Sequence, residues 1–370
     1  MIQFTSDLLP SNPAYNDSII RYNSTITGMT KSDITIAGQN PFTVYPFNET
    51  FSYNFKDIVK VLINQSGFAD SIIPDLQNDF IYSDSSLLLE ITPTITTYNS
   101  TTADTISKTY SFTKSVEQLP FYNQKINNQS DVKVLLPTSD NFNYSVTYFE
   151  GYPFDFSIRG LKSGDTYCFR NSSTGMVSEN YSSQDNHVKR IFLSDGAINE
   201  TINQTLIMLS NVNPIELWVN NELKANIRIK RVESQCGIYL KWFNQYGGYS
   251  YWLFDKIYKE NINVKEIDDL VGKWDNLQNI TSTSESFGKT ATQSFELSTS
   301  FSDDEKEYVI DILKSPTVQK YIHHIPFVKM IPYSFLGVSM AAGNFQFQNK
   351  FSKNKLKVNI EMPSINTITL

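Results

Sequence analysis

The chain has 370 residues, of which 40% are hydrophobic and 19% are charged, and its formal net charge is -7. This length exceeds what one hydrophobic core usually serves, so the sequence predicts two or three domains. Because phosphate contacts require clustered Lys and Arg, the mild negative charge argues against nucleic-acid binding as the primary function. No apolar run approaches the roughly eighteen residues of a membrane helix, so no membrane-spanning segment is predicted.

The sequence also lacks the common signatures of bound cofactors and metals. Cys168 and Cys236 lie far apart and form no CxxC pair, so neither a disulfide nor a metal framework organises the chain. Neither a glycine-rich phosphate loop nor a calcium-binding loop of the DxDxDG type occurs. The sequence therefore predicts no cofactor.

The N-terminal region, residues 1–130, reads as a β module with one helix. Apolar and polar residues alternate from Ile34 to Phe55 around Gly, Pro and Asn, which is typical of short strands and turns. The spacing then becomes helical in FKDIVKVLINQSG, and the pattern stops at Gly67. The segments SLLLEITPTITTYN and TISKTYSFTKSV that follow predict further strands.

The middle region, residues 131–232, is predicted to be rich in strands. The segments DVKVLLPTSD, SVTYFEGYPFDFSIRGL, VKRIFLSDG and TLIMLS carry the strand pattern, with turns at Gly160 and Gly164. In IELWVNNELKANIRIKRV, Asn220 and Asn221 tolerate the positive φ of a tight turn, so this segment predicts a β-hairpin.

The C-terminal region, residues 233–370, combines an aromatic hairpin, a helix and a run of strands. Ser302 and Glu305 form a capping-box pattern at the start of SFSDDEKEYVIDILKSP, and Pro316 marks the end of the predicted helix. The segments IPFVKMIP, SFLGVSM, NFQFQNKF and KLKVNIEM predict strands after it. Strands, one helix and more strands thus occur twice in the chain, without a clear sequence repeat.

The segment CGIYLKWFNQYGGYSYWLFDK is the most aromatic part of the chain. It predicts two strands around a Gly-Gly turn with aromatic residues on both faces, so the second face needs another layer or a neighbouring subunit. Core and subunit interface are the favoured interpretation, and a stacking platform for sugars or single-stranded bases formed by Tyr239, Tyr249 and Tyr251 is the alternative. The residues predicted to set packing and assembly are Tyr239, Trp242, Phe243, Tyr249, Tyr251, Trp252 and Phe254 in the hairpin and Val309, Ile312 and Leu313 in the helix.

No catalytic constellation stands out, so the sequence predicts that the protein is not an enzyme. Its three histidines are His187 in a hydrophilic stretch and the adjacent His323 and His324, which would point to opposite faces of an extended segment. A glycoside hydrolase would require two carboxylates facing each other across a cleft, which spacing in sequence cannot reveal.

Several segments resemble structural proteins encoded by tailed phages of Bacteroidetes hosts, crAss-like phages included. They are the aromatic hairpin segment, TQSFELSTSFSDDEKEYVIDILKSPTVQKY, SGDTYCFRN and VKRIFLSDG, so the resemblance covers about the last two thirds of the chain. It implies a virion protein of the tail or neck, such as a hub, ring or distal-tail component.

The resemblance also shapes the expected fold and partners. It implies a mainly β protein with β-sandwich or tail-tube-like modules, each flanked by one α-helix, on either side of the β-rich middle region. The expected partners are further copies of the chain in a homo-oligomeric ring, other tail or neck virion proteins, and DNA that only passes through the lumen. The expected location is the virion, and the host cytoplasm during assembly. The alternative is a carbohydrate-binding or adhesive β-sandwich protein of a bacterial surface or a phage receptor-binding device.

Overall fold

The computed structural model describes residues 1–9, 11–65, 67–68, 70–76, 79–116, 132–137, 142–197, 211–233, 235–255, 258–267, 269–271, 284–286, 288–341 and 354–365, with only the backbone at 269–271 and 284–286. Strands in several sheets dominate, arranged as β-sandwich layers, which confirms the prediction of a mainly β fold. In the described part of the chain, no helix has the length and apolar character needed to cross a bilayer.

The N-terminal strands form three small sheets. The strands are β1 (Ile2–Ser6), β2 (Ser11–Pro13), β3 (Ile19–Ser24), β4 (Lys31–Thr35), β5 (Phe42–Val44), β6 (Phe51–Asn54), β7 (Ile81–Asp84), β8 (Leu88–Ile91), β9 (Thr94–Tyr98), β10 (Ala103–Ser107) and β11 (Tyr110–Thr113). The sheet orders are β1-β3-β6, β10-β9-β4-β5 and β2-β11-β8, whereas β7 joins a sheet of the middle region. A 3₁₀ turn, Ser85–Leu87, connects β7 to β8.

The predicted first helix is present as α1 (Lys56–Ile63). Val59 and Ile63 are its buried residues, one turn apart, as the helical spacing of the sequence requires. The helix ends before Gly67, whose φ of +62° lies in the left-handed region that favours glycine.

The middle strands form two sheets that contribute to the sandwich. They are β12 (Lys133–Val134), β13 (Asn143–Phe149), β14 (Pro153–Arg159), β15 (Thr166–Asn171), β16 (Tyr181–Ser182), β17 (Val188–Asp195), β18 (Val212–Val219) and β19 (Glu222–Val232). One sheet has the order β12-β14-β17-β7 and the other β13-β19-β18-β15-β16. The predicted β18–β19 hairpin is confirmed, with φ of +49° at Asn220 and +65° at Asn221.

The C-terminal strands build a seven-stranded sheet in the order β21-β20-β26-β27-β28-β25-β22, and a separate two-stranded ladder, β23-β24. They are β20 (Ile238–Phe243), β21 (Tyr249–Phe254), β22 (Lys259–Glu266), β23 (Asp269–Val271), β24 (Ser284–Ser286), β25 (Lys289–Phe301), β26 (Val318–Tyr321), β27 (Phe335–Met340) and β28 (Asn354–Glu361).

The second predicted helix is short and mixed in type. Its α-helical part is α2 (Lys306–Ile310), with a 3₁₀ turn before it at Asp303–Glu305 and another after it at Asp311–Lys314. The predicted capping box between Ser302 and Glu305 is present.

Buried apolar residues form two clusters. One runs from Ile2 to Phe112 and uses only the N-terminal region. The other begins at Leu76 and ends at Ile360, so the predicted middle and C-terminal regions share one core. The predicted boundaries after residues 130 and 232 stay predictions, and Leu76, Phe80 and Leu87 pack in the second cluster although they precede the first boundary.

One predicted strand is wrong. IPFVKMIP, residues 325–332, forms a loop between β26 and β27, because its backbone bonds to three separate segments instead of to a neighbouring strand. The predicted strands TLIMLS and NFQFQNKF lie outside the described residues.

Candidate assembly site

The aromatic hairpin is the centre of the second core. β20 pairs antiparallel with β21, so that Leu240 lies opposite Trp252 and Trp242 opposite Ser250. The Asn244 side chain holds the turn, because its Oδ1 accepts the backbone N–H of Tyr246 at 2.9 Å and of Gly248 at 3.2 Å.

Both faces of the hairpin are covered by the same chain. On one face the Tyr239 ring stacks on Tyr152 at 4.6 Å between ring centroids. On the other, Trp242 packs against Tyr308 of α2 at 5.8 Å, and Trp252 donates from Nε1 to Thr299 Oγ1 at 2.8 Å. The layer that the sequence requires over the second face is therefore supplied by α2 and β25.

All seven predicted hairpin residues are buried, none more than 3% exposed: Tyr239, Trp242, Phe243, Tyr249, Tyr251, Trp252 and Phe254. The alternative platform of Tyr239, Tyr249 and Tyr251 is wrong, because these rings face no solvent on which a sugar or base could stack. The hairpin's influence on subunit geometry stays a prediction. Any direct contact between copies would involve other residues.

The predicted helix residues lie on the same core. Val309 and Ile312 are fully buried, and Leu313 is partly buried against the cluster. Glu305 fixes the start of the helical segment to the five-stranded sheet, accepting from Thr147 at 2.5 Å and from Lys230 at 2.9 Å. Burial alone would raise the pKa of Glu305, but these hydrogen bonds outweigh it and the pKa lies below its ordinary value.

A buried ionic cluster lies beneath the hairpin, and sequence reasoning missed it. Arg190 of β17 binds both carboxylate oxygens of Asp155 on β14, at 2.9 and 2.8 Å, and its Nη1 lies 2.6 Å from Asp70. Lys241 of β20 also contacts Asp70, and Tyr251 donates to Asp155. The available signal was Lys241 itself, a lysine between aromatic residues on a strand whose two faces both need burial.

The opposite charges of this cluster stabilise one another. Burial alone would raise the pKa of Asp70, but the positive charges of Arg190 and Lys241 outweigh it and keep that pKa well below its usual range. Burial lowers the pKa of Lys241, and the charge of Asp70 opposes this. Burial raises the pKa of Tyr251, and the negative charge of Asp155 raises it further. The cluster joins β14, β17, β20 and β21 to Asp70, and its side chains are buried.

An open cleft of about 1150 Å³ lies between the outer face of the five-stranded sheet and the helical segment. Its lining mixes polar and apolar residues. Glu216 and Arg228 lie on the sheet side, Lys306 and Glu307 on the helix side, and Tyr246 at the hairpin turn. Glu216 accepts from Trp218 Nε1 at 2.8 Å. Within the described residues, no group of three or more His, Cys, Asp or Glu side chains could hold a metal ion.

Exposed apolar side chains concentrate in residues 322–334, here called the apolar loop. Its large exposed members are Ile322, Ile325, Phe327, Ile331 and Tyr333. The Tyr333 side chain is 92% exposed, which is unusual for an aromatic residue in a loop so closely fixed to the core.

The apolar loop is held rigidly by its backbone. The N–H of Phe327 donates to Gly151 O at 2.7 Å, and that of Met330 to Asp195 O at 2.6 Å. The Tyr321 hydroxyl donates to Val328 O at 2.5 Å. These bonds fix the loop at three points, so its apolar side chains are presented in a set geometry.

Two glycines allow the apolar loop to approach the neighbouring backbone closely. A Cβ on Gly151 would lie 2.8 Å from the Phe327 ring, and one on Gly196 would lie 2.2 Å from Val328 O. Phe327 and Tyr333 themselves have φ of +63° and +69°, a conformation that costs non-glycine residues about 1–3 kcal/mol. Surrounding contacts must offset this strain.

A second exposed apolar surface lies on β22, the edge of the seven-stranded sheet. Residues directly opposite in an antiparallel pair share a face, and Val264 lies opposite the buried Ala291 while Glu260 lies opposite the buried Phe295. Alternate residues of β22 therefore lie on the inner face of the sheet. The edge strip, as it is called here, consists of Glu260, Ile262, Val264 and Glu266 of β22 together with Tyr258 just before the strand. Ile262 is 60% and Val264 55% exposed, so the described residues leave this part of the inner face uncovered.

Comparisons with known proteins identify no family. No family model matches the chain, and no curated protein does. Solved structures to which it is similar include fibronectin(III)-like modules of Clostridium thermocellum CbhA, at 9% identity over 63% of this chain and 95% of that one, with a TM-score of 0.21. A marsupial T cell receptor is similar at 9% identity over 64% of this chain and 88% of that one, with a TM-score of 0.18. Likeness at this level carries no argument about function.

Proposed function

We propose that this chain is a non-enzymatic structural protein of a phage virion that assembles with copies of itself into a ring or hub of the tail or neck. The observation that carries the proposal is the apolar loop. Large exposed apolar patches are rare on monomeric proteins and often mark protein-binding surfaces. The sequence resemblance to phage tail and neck proteins gives the assembly its context.

The buried aromatic hairpin is consistent with this proposal because it stabilises the core of each copy. Trp242 and Trp252 tie β20 and β21 to α2 and β25 inside one chain, so each copy brings a rigid core to the assembly. Rigid subunits lose little conformational entropy on association. The contacts between copies are then made by surface segments whose positions the core determines.

The ring would surround the path of the DNA and contact other tail or neck proteins. It would form in the host cytoplasm and remain in the virion. With a formal net charge of -7, the chain would let DNA pass without binding it tightly. A strongly basic lumen in an imaged assembly would argue against this part of the proposal.

The decisive experiment is to purify the full chain, measure the mass of the particle in solution and image it by electron microscopy. We expect a closed ring with a defined number of copies. A chain that stays single at high concentration would overturn the proposal. Labelling the chain in intact virions would then give its position in the tail or neck.

A second candidate function, carbohydrate binding, is favoured by the open cleft. Its lining includes the amide and hydroxyl side chains that hydrogen-bond sugars: Asn143, Ser145, Ser172, Asn226 and Gln245. Glycan-array binding by the purified chain would support this function, provided that Tyr246→Ala abolishes it. Ring formation without glycan binding would favour the first proposal.

A further inference from the structure

We infer that the edge strip of one copy binds the apolar loop of a second copy of this chain. This inference rests on the self-assembly in the proposed function and names the surfaces that produce it. Both surfaces carry exposed apolar side chains in the described part of the chain. Contact between them would remove two exposed apolar areas at once, whereas an unrelated partner on either surface would leave the other in water.

The charges beside the two apolar areas are complementary. The edge strip carries Glu260 and Glu266 on the same face as Ile262 and Val264. Residues 315–336, which include the apolar loop, contain no Asp or Glu, and Lys329 lies within the loop. Glu260 and Glu266 of one copy and Lys329 of a second copy would attract each other, which favours one register over others.

These charges already have some contacts within the chain. Glu260 accepts from the side chain of Gln293. Lys329 is 3.9 Å from both Asp75 and Asp195, the outer limit for an ion pair, and its side chain remains 49% exposed. Lys329 can therefore approach a glutamate of a second copy without breaking a close ion pair.

The edge strip can also supply backbone hydrogen bonds. The N–H of Ile267 donates to Gly288 O at 3.1 Å, so it points toward the neighbouring strand β25. Because backbone groups alternate along an antiparallel strand, those of Ile262 and Val264 point to the opposite side, where β22 ends the sheet among the described residues. An exposed edge of this kind is a template for pairing with another chain.

The two surfaces adjoin within one copy. The Tyr258 ring at the start of the edge strip lies 6.2 Å from the His324 ring at the start of the apolar loop. The contact joins two different surfaces, the edge strip of one copy and the apolar loop of the next, so it can repeat from copy to copy until a ring closes.

The first test weakens each surface separately in the full chain. The variants are Ile262→Ser with Val264→Ser on the edge strip, and Ile331→Ser with Tyr333→Ser on the apolar loop. The matched control is Val61→Ser with Val177→Ser, two exposed valines outside both surfaces. Sedimentation over a wide concentration range should show that each test variant raises the dissociation constant about tenfold or more while the control does not.

The second test exchanges charges and keeps the inference falsifiable if a serine variant folds poorly. Glu266→Lys and Lys329→Glu should each associate more weakly than the natural chain, because like charges then meet. An equimolar mixture of these two variants should recover association, since each contact again pairs a lysine with a glutamate. Weak association that mixing does not recover would overturn the inference.

The outcomes separate this inference from the proposed function. Natural chains that form rings, with both serine variants forming them equally well, would overturn the inference and leave the ring in place. If the natural chain forms only dimers, and both serine variants weaken them, the result would support the inference and overturn the proposed ring. A natural chain that stays single at every concentration would overturn both.

Discussion

Arg190 and Asp155 form a two-point ion pair in the second core, with Nε to Oδ2 at 2.9 Å and Nη2 to Oδ1 at 2.8 Å, and neither side chain is exposed. The pair connects β17 to β14, and Tyr251 connects it to the aromatic hairpin. A buried pair of this kind costs free energy to desolvate, so its value depends on both partners being present.

Asp155→Ala should therefore lower the free energy of unfolding by about 3–5 kcal/mol, because Arg190 would keep its charge in the core with fewer partners. Urea denaturation measures the loss. Arg190→Met combined with Asp155→Leu should lose less than Asp155→Ala alone, since neither charge of this pair then remains and Asp70 keeps its contact with Lys241. Glu296→Gln is the control, because Glu296 and Lys259 form an exposed pair at 3.6 Å worth about 0–1 kcal/mol. Equal losses in the single and double core variants would contradict the prediction.

Asp311 should make stability depend on pH. Burial raises its pKa from 3.8 to about 6, although the backbone N–H of Gln245, 3.3 Å from Oδ2, opposes the shift. Because the folded pKa of Asp311 lies above the unfolded one, the folded state binds more protons between about pH 4 and pH 6. The free energy of unfolding therefore falls as pH rises through that window. Above pH 6 the charged Asp311 carboxylate destabilises the folded state by about 3 kcal/mol.

Asp311→Asn removes this titration, so the variant should be more stable than the natural chain at pH 7 and should lose less stability between pH 4 and pH 6. Denaturation at several pH values measures both effects. Asp304→Asn, an exposed change on the preceding turn, controls for removing one negative charge. A variant no more stable than the natural chain at pH 7 would count against the predicted cost of burial.

Trp242→Ala and Trp252→Ala should block folding or assembly. Each change empties a site in a close-packed core, and truncating a buried Trp or Phe costs about 3–5 kcal/mol. Trp252→Phe should be milder, because it keeps ring packing and loses the bond to Thr299. Denaturation followed by circular dichroism gives stability, and solution mass gives assembly. Soluble rings that survive both alanine changes would contradict this expectation.

Gly196→Ala should disturb the apolar loop. Its Cβ would lie 2.2 Å from Val328 O, and φ at this position is +88°. We expect a loss of about 1–3 kcal/mol, with faster hydrogen exchange in residues 322–334 and weaker self-association. Gly337→Ala in β27 is the matched control, because a Cβ there would meet no atom within 4 Å and the φ of Gly337 lies outside the left-handed region. Unchanged hydrogen exchange in the loop of the Gly196 variant would show that the close approach does not fix it.

The local pattern of the sequence determined a large part of the fold. Alternation in the segments around Phe154, helical spacing from Ile58 to Ile63, and the Asn220–Asn221 turn each depend on neighbours within a few residues, so each could be predicted. The capping box at Ser302 is local in the same sense. The burial of Trp242 also followed, because a strand with aromatic residues on both faces must be covered.

Only the tertiary structure decided what covers the hairpin and what remains outside. The covering layer comes from α2 and β25, where Tyr308 contacts Trp242 and Thr299 contacts Trp252 from much later in the chain. The partners of Arg190 come from residues 70 and 155, so no spacing rule relates these contacts. The apolar loop looked like a strand because its residues are apolar, but Gly151 and Gly196 allow its backbone to bond to distant segments instead. Side-chain pattern reports what a residue prefers locally, whereas contacts between distant segments are set by how the whole chain packs.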